Sequence, residues 1–137
     1  MYDPEGEVLI ERNKHLVREF YRRVFDGQNA AAVKDFVTED YKQHSSHMPS
    51  GRQGLEGFVR SLFPNGPVAE PDEMLRPPAF IVAEADMVVV PAYMPQPDPD
   101  NPGATYDYFV FDAYRIRDGR LAEHWSGVNK TAPPRHL

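Results

Sequence analysis

An aspartate in the middle of the most aromatic stretch of the chain is the first candidate for chemistry. Asp112 lies within residues 108–114, and alternate residues of a strand share one face. Desolvation among apolar neighbours disfavours the ionised form of a carboxylate and makes it a better proton acceptor. The alternative is a structural acid, hydrogen-bonded to a neighbouring backbone group or turned to solvent. The side chains that share its face are Tyr108, Val110, Tyr114 and Ile116.

His124 is the second candidate, and its position relative to Asp112 depends on the turn at residues 118–119. A two-residue type I′ loop places Trp125 opposite Asp112, whereas a three-residue loop with a glycine bulge places His124 there. Directly opposed residues share a face, so only the second register forms an Asp–His pair. The sequence permits both registers, and a half-buried histidine with a purely structural role is the alternative to a catalytic one.

A polar cluster at residues 43–47 is expected in a loop at the mouth of a cavity. His44 is a candidate hydrogen-bond donor there, and Gln43 is a candidate for substrate contact. A His44/His47 pair resembles metal ligands, but its spacing matches no known metal site. The sequence therefore predicts no metal. It also contains no glycine-rich phosphate loop and no nucleophile elbow.

The front half of the chain is predicted to be helical. Apolar residues recur at spacings of three and four between residues 9 and 25, and Gly27 is a plausible stop. Asn29 is expected to cap a short helix that runs to about residue 37. A Ser50/Gln53 capping box predicts a third helix, which ends before residues 64–67. Tyr21 and Phe58 lie on helix faces that should meet the sheet, where some aromatic side chains line a cavity.

The back half is predicted to be strands, at residues 79–83, 87–90, 104–116 and 121–128. Helices followed by antiparallel strands are typical of an α+β fold. We expect about three N-terminal helices to cover a curved, cone-shaped antiparallel sheet and to enclose one pocket.

Composition limits the class of protein. The 137 residues predict a single domain over 1–137, with a core at about 8–130 and a loose C-terminal tail. The net charge of −6 disfavours nucleic acid or an anionic membrane as a partner. The N-terminus lacks the features of a signal peptide, and no apolar run is long enough to span a bilayer. The chain has no cysteine, so a cytoplasmic location is the simplest interpretation.

Three segments in order, residues 41–44, 51–58 and 111–125, resemble the SnoaL-like polyketide cyclase family of the nuclear transport factor 2-like superfamily. The resemblance covers about residues 8 to 130. It implies a cone-shaped fold, a homodimer and cofactor-free aldol ring closure, with Asp112 as the acid/base and Gln43 lining the site. The strand before Asp112 lacks the histidine that is common in the family, and His44 or Tyr93 is a candidate substitute. The acid that commonly follows the position of Trp125 is also missing.

These observations predict a cofactor-independent acid–base enzyme, a lyase or isomerase, that acts on a small hydrophobic carbonyl compound. Asp112 would remove the proton, and His44 or His124 would donate to the enolate oxygen, while Trp125 and Tyr93 contact substrate. The alternatives are an epoxide hydrolase or dehydratase in the same pocket, and a non-catalytic ligand-binding or dimerisation module.

Overall fold

Three N-terminal helices pack against one face of a curved five-stranded sheet in the computed structural model, which describes residues 2–45 and 48–127. The α+β prediction is therefore confirmed. His47, the predicted strand end at residue 128 and the predicted tail lie outside the described residues. The helices are α1 (Pro4–Phe20), α2 (Val33–Phe36) and α3 (Arg52–Leu62). The strands are β1 (Val37–Gln43), β2 (Val82–Glu84), β3 (Met87–Tyr93), β4 (Gln96–Pro97), β5 (Thr105–Tyr106), β6 (Phe109–Arg117) and β7 (Arg120–Trp125).

The first helix ends in a turn that the periodicity did not predict. Asp3 caps α1 by accepting a hydrogen bond from the Gly6 N–H at 3.1 Å. After α1 the chain forms a π-helical turn, Tyr21–Asp26, and stops at Gly27 as predicted. Such turns insert one residue into a helix and are frequent at functional sites. Here Tyr21 is the first residue of the turn.

The two shorter helices begin differently from each other. Asn29 caps a 3₁₀ turn at Ala30–Ala32 through the Ala31 N–H, as predicted, and α2 follows directly. The capping box predicted for α3 is wrong, because no side chain caps that helix. The hydroxyl of Ser50 instead accepts from the Gln43 N–H at 2.9 Å and so ties the loop back to β1.

The main sheet has the strand order β1-β7-β6-β3-β2, and it is mixed rather than wholly antiparallel. β1 runs parallel to β7, whereas the other neighbours are antiparallel. No hairpin joins β1 to β7, so turn geometry does not set their relative direction. The strand predicted at residues 104–116 is interrupted, and β5 pairs with β4 in a separate small hairpin.

The β6–β7 hairpin follows neither of the two predicted registers throughout. Its turn is the two-residue one: Arg117 pairs with Arg120, and Asp118 and Gly119 both have positive φ. The register then shifts, so that Ile116 pairs with Leu121 but Arg115 pairs with Glu123. This shift leaves Ala122 as the extra residue of a β-bulge. A shift of one residue exchanges the faces of a strand, and it brings His124 onto the face that carries Asp112.

The hydrophobic core lies between the helices and the inner face of the sheet. Val17, Phe20 and Val24 come from α1 and the π-helical turn, and all three are buried. Val88, Val90 and Leu121 face them from the sheet. This core stops short of filling the space under the helices, and the remaining space is the cavity described next.

Candidate active site

A cavity of about 590 Å³ lies between the helices and the inner face of the sheet. Its size is in the range of small-molecule sites, which are mostly apolar with a few placed polar groups. The apolar lining includes Phe25, Leu55, Phe58, Leu62 and Val110. Polar side chains meet at one wall, where β1, β6 and β7 lie side by side: Tyr41, Gln43, Asp112, Tyr114 and His124.

Asp112 is the centre of this polar wall. Only 8% of its surface is exposed, and it lines the cavity. Its Oδ1 lies 2.8 Å from Nε2 of His124, and its Oδ2 accepts a hydrogen bond from the Tyr21 hydroxyl at 3.2 Å. His124 is 3% exposed. A buried carboxylate and a buried imidazole are thus in direct contact beside an apolar space, as an acid–base pair requires.

Tyrosine hydroxyls extend this network. The hydroxyls of Tyr21 and Tyr114 are 2.7 Å apart, and the ring of Tyr114 stacks on His124 with centroids 4.8 Å apart. Burial, and then the negative charge of Asp112, raise the pKa of Tyr21 well above its usual value. Burial likewise raises the pKa of Tyr41 and of Tyr114. All three phenols therefore remain protonated near neutral pH and can donate hydrogen bonds.

The ring nitrogen of His124 that does not contact Asp112 is hydrogen-bonded by a side chain of β1. Nδ1 of His124 lies 2.7 Å from Oε1 of Gln43, and the same oxygen accepts from the Ser45 N–H at 3.0 Å. Gln43 and His124 are partners in the parallel β1–β7 ladder, so the backbone places these two side chains next to each other. Gln43 also lines the cavity.

His44 and Trp125 were expected at the site, but the structure places both on the outer face of the sheet. Residues alternate faces along a strand, so the neighbours of Gln43 and His124 point away from the cavity. The His44 and Trp125 rings stack with centroids 4.8 Å apart, and Nε2 of His44 lies 2.7 Å from Oε2 of Glu123. His44 and Arg115 hydrogen-bond Glu123 and hold the pKa of this carboxyl below its usual range.

The remaining predicted site residues lie at the cavity. Tyr21 and Phe58 line it, as does Tyr93 at its edge. Tyr93 is half exposed, and its hydroxyl donates to Oδ1 of Asp107 at 2.8 Å, away from Asp112. The structure therefore joins Asp112, His124, Gln43 and Tyr21 into one hydrogen-bonded cluster, and Tyr93 and Phe58 contribute surface to the cavity.

The sequence of the chain matches a known protein family. A family model described as the SnoaL-like domain matches residues 17–124, most of the chain. The chain belongs to the SnoaL-like domain family. The family is part of the nuclear transport factor 2-like superfamily, in agreement with the curved sheet under three helices.

Several solved structures share this fold. A SnoaL-like polyketide cyclase from Agrobacterium tumefaciens superposes with a TM-score of 0.60 at 14% identity, covering 88% of this chain and 93% of that one. TsrD from Streptomyces laurentii has a TM-score of 0.59 at 16% identity, covering 93% and 90%. An LEH-like epoxide hydrolase from M. tuberculosis has a TM-score of 0.57 at 13% identity, covering 86% and 83%. No curated protein matches by sequence.

Two cavity residues of this SnoaL-like domain were missed as site residues from the sequence. Tyr114 shares the face of Asp112 at a spacing of two, and Tyr41 begins the segment at residues 41–44. Both residues could therefore have been identified as site candidates from the sequence. Their significance depends on contacts between strands that are distant in sequence. Tyr41 comes close to Asp112 only because β1 pairs with β7, and that pairing has no local signature.

One wall of the cavity is an irregular segment, residues 74–79, which contributes Met74, Leu75, Arg76 and two prolines. This wall is attached to the π-helical turn. The Leu75 N–H donates to Oδ2 of Asp26 at 2.9 Å, and the Arg22 guanidinium donates to the Pro71 carbonyl at 2.8 Å. The same helical turn therefore positions Tyr21 at Asp112 and holds this irregular wall.

Among residues 2–45 and 48–127, no group of three or more His, Cys, Asp or Glu side chains is arranged to hold a metal ion. Within the same ranges, no helix has the length and apolar character needed to cross a membrane.

Proposed function

We propose that this SnoaL-like domain is a cofactor-independent acid–base enzyme that acts on a small hydrophobic carbonyl compound, as an aldol cyclase or an isomerase. The observation that carries the proposal is the contact of Asp112 with His124 and Tyr21 at the wall of a 590 Å³ apolar cavity. A buried carboxylate at a mostly apolar cavity, with fixed hydrogen-bond donors around it, has its electrostatic partners in place before reaction.

The proposed reaction begins when Asp112 removes a proton from the carbon next to a substrate carbonyl. The electron pair of the C–H bond forms an enolate, which attacks a second carbonyl and makes a C–C bond and an alkoxide. Asp112 then returns the proton to the alkoxide, so no proton is gained or lost. In isomerisation the enolate instead takes the proton back at another carbon.

The donor to the enolate oxygen differs from the one expected from the sequence. His44 lies on the outer face of the sheet, and both ring nitrogens of His124 already have partners. The Tyr41 hydroxyl is the better candidate, because Tyr41 lines the cavity and its raised pKa keeps it protonated. An oxyanion donor in such a site acts on the charge that develops in the transition state.

Hydrolysis or hydration in the same pocket is the second candidate that the sequence left open. It needs an arginine beside Asp112 to orient water, as in limonene-epoxide hydrolase-like relatives. On the Asp112 strand, Val110 takes the position two residues before, and Arg115 is on the outer face, paired with Asp86 at 2.9 Å. This arrangement supports carbon acid chemistry over water activation.

The test follows loss of α-proton signals by NMR in deuterated water, for a panel of hydrophobic β-diketones and β-keto esters that fit the cavity. Wild type should accelerate the exchange, and Asp112→Asn should slow it by a factor of ~10² to 10⁴. Asp86→Asn is the matched control on the outer face and should leave the rate unchanged. Full exchange activity in Asp112→Asn would exclude the proposed base.

Two further measurements distinguish the candidate histidines and the candidate functions. His124→Gln should slow the exchange and His44→Gln should not, which distinguishes the two histidines that the sequence proposed. Incorporation of labelled solvent oxygen into a product from epoxide substrates, with no α-proton exchange, would favour the hydrolase. A non-catalytic module would bind these compounds and change none of them.

We also propose a homodimer through the outer face of the sheet. Aromatic and aliphatic side chains of β3 and β6, together with Phe80 and Val82, cover one part of this face and are about half exposed, and Glu84, Arg115 and Glu123 lie on the same face beside them. Contiguous apolar patches mark interaction sites, and a two-fold axis buries the same patch on both copies. The patch consists of Phe80, Val82 and Phe111, and it continues to Tyr93 and Phe109, which also line the edge of the cavity.

A further inference from the structure

The hydrogen bonds around Gln43 determine which nitrogen of His124 carries a proton. Oε1 of Gln43 lies 3.0 Å from the Ser45 backbone nitrogen and 2.7 Å from Nδ1 of His124. A backbone N–H can only donate, so an acceptor must face it, and that acceptor is the amide oxygen. The same oxygen faces Nδ1. Nδ1 therefore carries the hydrogen.

The Ser45 N–H fixes this orientation even though the other end of the Gln43 amide gains no hydrogen bond from it. Nε2 of Gln43 is buried, and it has no hydrogen-bond partner in the described part of the chain. Reversing the amide would turn this NH₂ group toward the Ser45 N–H, which places two donors against each other and loses an acceptor. The side chain thus keeps the orientation that serves Ser45 and His124, although its own nitrogen is left unpaired.

A hydrogen on Nδ1 constrains the contact at the opposite nitrogen. If the ring is neutral, Nε2 is a bare acceptor and Asp112 must donate across the 2.8 Å contact. If the ring is an imidazolium, Nε2 donates and Asp112 is ionised. In both cases one proton lies between the two groups. The titratable groups that face this pair are phenols, Tyr21 and Tyr114 by contact and Tyr41 from β1.

We propose that Gln43 is a positioning residue, which holds His124 in the Nδ1–H form and so makes Asp112 and His124 a pair that shares one proton. This rests on the proposed function in one respect: the pair is the acid–base group of the reaction. With the ring as imidazolium, Asp112 is a carboxylate that can accept the substrate proton, and the pair holds two protons until Asp112 returns one.

The alternative tautomer of His124 would change how protons are distributed between Asp112 and His124. A neutral ring with its hydrogen on Nε2 would donate to an ionised Asp112 and present a bare Nδ1 to the Gln43 oxygen, where two acceptors meet. Gln43 excludes this state. Its role therefore runs through His124, and differs from the direct substrate contact that the sequence predicted.

The first test needs no substrate and no variant. Two-bond ¹⁵N–¹H correlation spectra of the ¹⁵N-labelled full-length protein distinguish Nδ1–H, Nε2–H and doubly protonated rings, and the His124 signals are assigned through their backbone connection. We expect a protonated Nδ1 across the pH range in which the protein is folded. A neutral ring with its hydrogen on Nε2 and a bare Nδ1 would overturn the proposal.

Variants then test Gln43 itself. Gln43→Met removes the amide at similar volume and should let the Nε2–H form appear, whereas Gln43→Glu supplies a carboxylate acceptor and should restore Nδ1–H. Gln53→Met, at an exposed position of α3, is the matched control and should leave the ring unchanged. A Gln43→Met spectrum identical to that of wild type would contradict the role of Gln43.

The exchange assay separates this inference from the proposed function. At metal sites, loss of the hydrogen bond that orients a histidine ligand typically lowers metal affinity or activity by about 10- to 100-fold, and we take this as the scale for an oriented imidazole here. We expect a fall of this size in kcat for Gln43→Met, with little change in KM and partial recovery in Gln43→Glu. If Asp112→Asn remains fully active while the Nδ1–H signal is present, the proposed reaction is wrong and the positioning role of Gln43 still stands.

Discussion

The imidazole of His124 reaches the carboxylate of Asp112 diagonally across the β6–β7 hairpin, with Nε2 and Oδ1 2.8 Å apart. Its direct cross-strand partner is Tyr114, whose ring stacks on it. The diagonal arrangement exists because Ala122 bulges out of the ladder and moves His124 to the inner face. The ring is therefore held by Tyr114 on its face and by Asp112 and Gln43 at its two nitrogens, which leaves it little freedom to turn.

The Tyr114–Tyr21–Asp112 chain of hydrogen bonds predicts unequal effects of removing its two hydroxyls. Tyr21→Phe removes the donor to a buried carboxylate and should lower the free energy of unfolding by about 1.5–3 kcal/mol. Tyr114→Phe leaves that donor in place and should cost only about 0.5–1.5 kcal/mol. Urea denaturation followed by circular dichroism measures both. Tyr106→Phe at the surface is the control and should stay within ~0.5 kcal/mol. Equal losses for the two buried positions would contradict the direction of the chain.

The buried phenols predict a loss of stability at alkaline pH. Tyr21, Tyr41 and Tyr114 have raised pKa values in the folded protein, so their contribution is fully present below pH ~10 and is lost as the pH rises further. In that range the unfolded chain releases protons that the folded chain retains. With three such groups, the free energy of unfolding should fall by about 4 kcal/mol per pH unit.

Phenolate absorbance and circular dichroism, recorded together, check this prediction. The three buried tyrosines should ionise only as the circular dichroism signal is lost. Tyr114→Phe should reduce the amplitude of the absorbance change that accompanies this loss. Ionisation of all seven tyrosines in a single phase, with the fold intact, would show that the phenols are accessible.

If the apolar patch on the outer face forms the dimer interface, a charge introduced into the patch should dissociate the proposed dimer. Phe111 is 54% exposed and lies on the face of β6 opposite to Asp112, so Phe111→Glu should leave the fold and the cavity unchanged. Sedimentation velocity should show a dimer for wild type and a monomer for this variant. Val8→Glu makes the same change on the exposed side of α1, and it should remain dimeric. A wild-type protein that is monomeric at every concentration would exclude the interface.

Much of the fold follows from local patterns in the sequence. The 3.6-residue period located α1 and α3, Gly27 and Asn29 marked a helix end and a helix start, and residues 118–119 formed the two-residue turn, one of the two that the sequence permitted. Asp112 was a candidate because of its aromatic neighbours and the family resemblance, while strand alternation left open which face is inside, and the structure places Asp112 at the cavity. These features depend on residues close together in the chain, whose preferences are strong.

The parts that could not be predicted depend on single-residue irregularities and on pairing between distant strands. Nothing in the identity of Ala122 indicates a bulge, yet the bulge decides that His124 and not Trp125 faces the cavity. The π-helical turn at Tyr21 keeps an ordinary helical sequence. The parallel pairing of β1 with β7 brings Gln43 to His124, and it also explains why His44 was misplaced, since a loop without known pairing has no defined face.

The irregular wall at residues 74–79 affects how the cavity of this protein can evolve. It is tethered to the π-helical turn through Asp26 and Arg22, while Gln43, Asp112 and His124 belong to three strands. Substitutions along the wall can therefore reshape the cavity without replacing any of these three polar side chains. In the proposed enzyme, the shape of the cavity and its acid–base pair would then evolve through different segments of the chain.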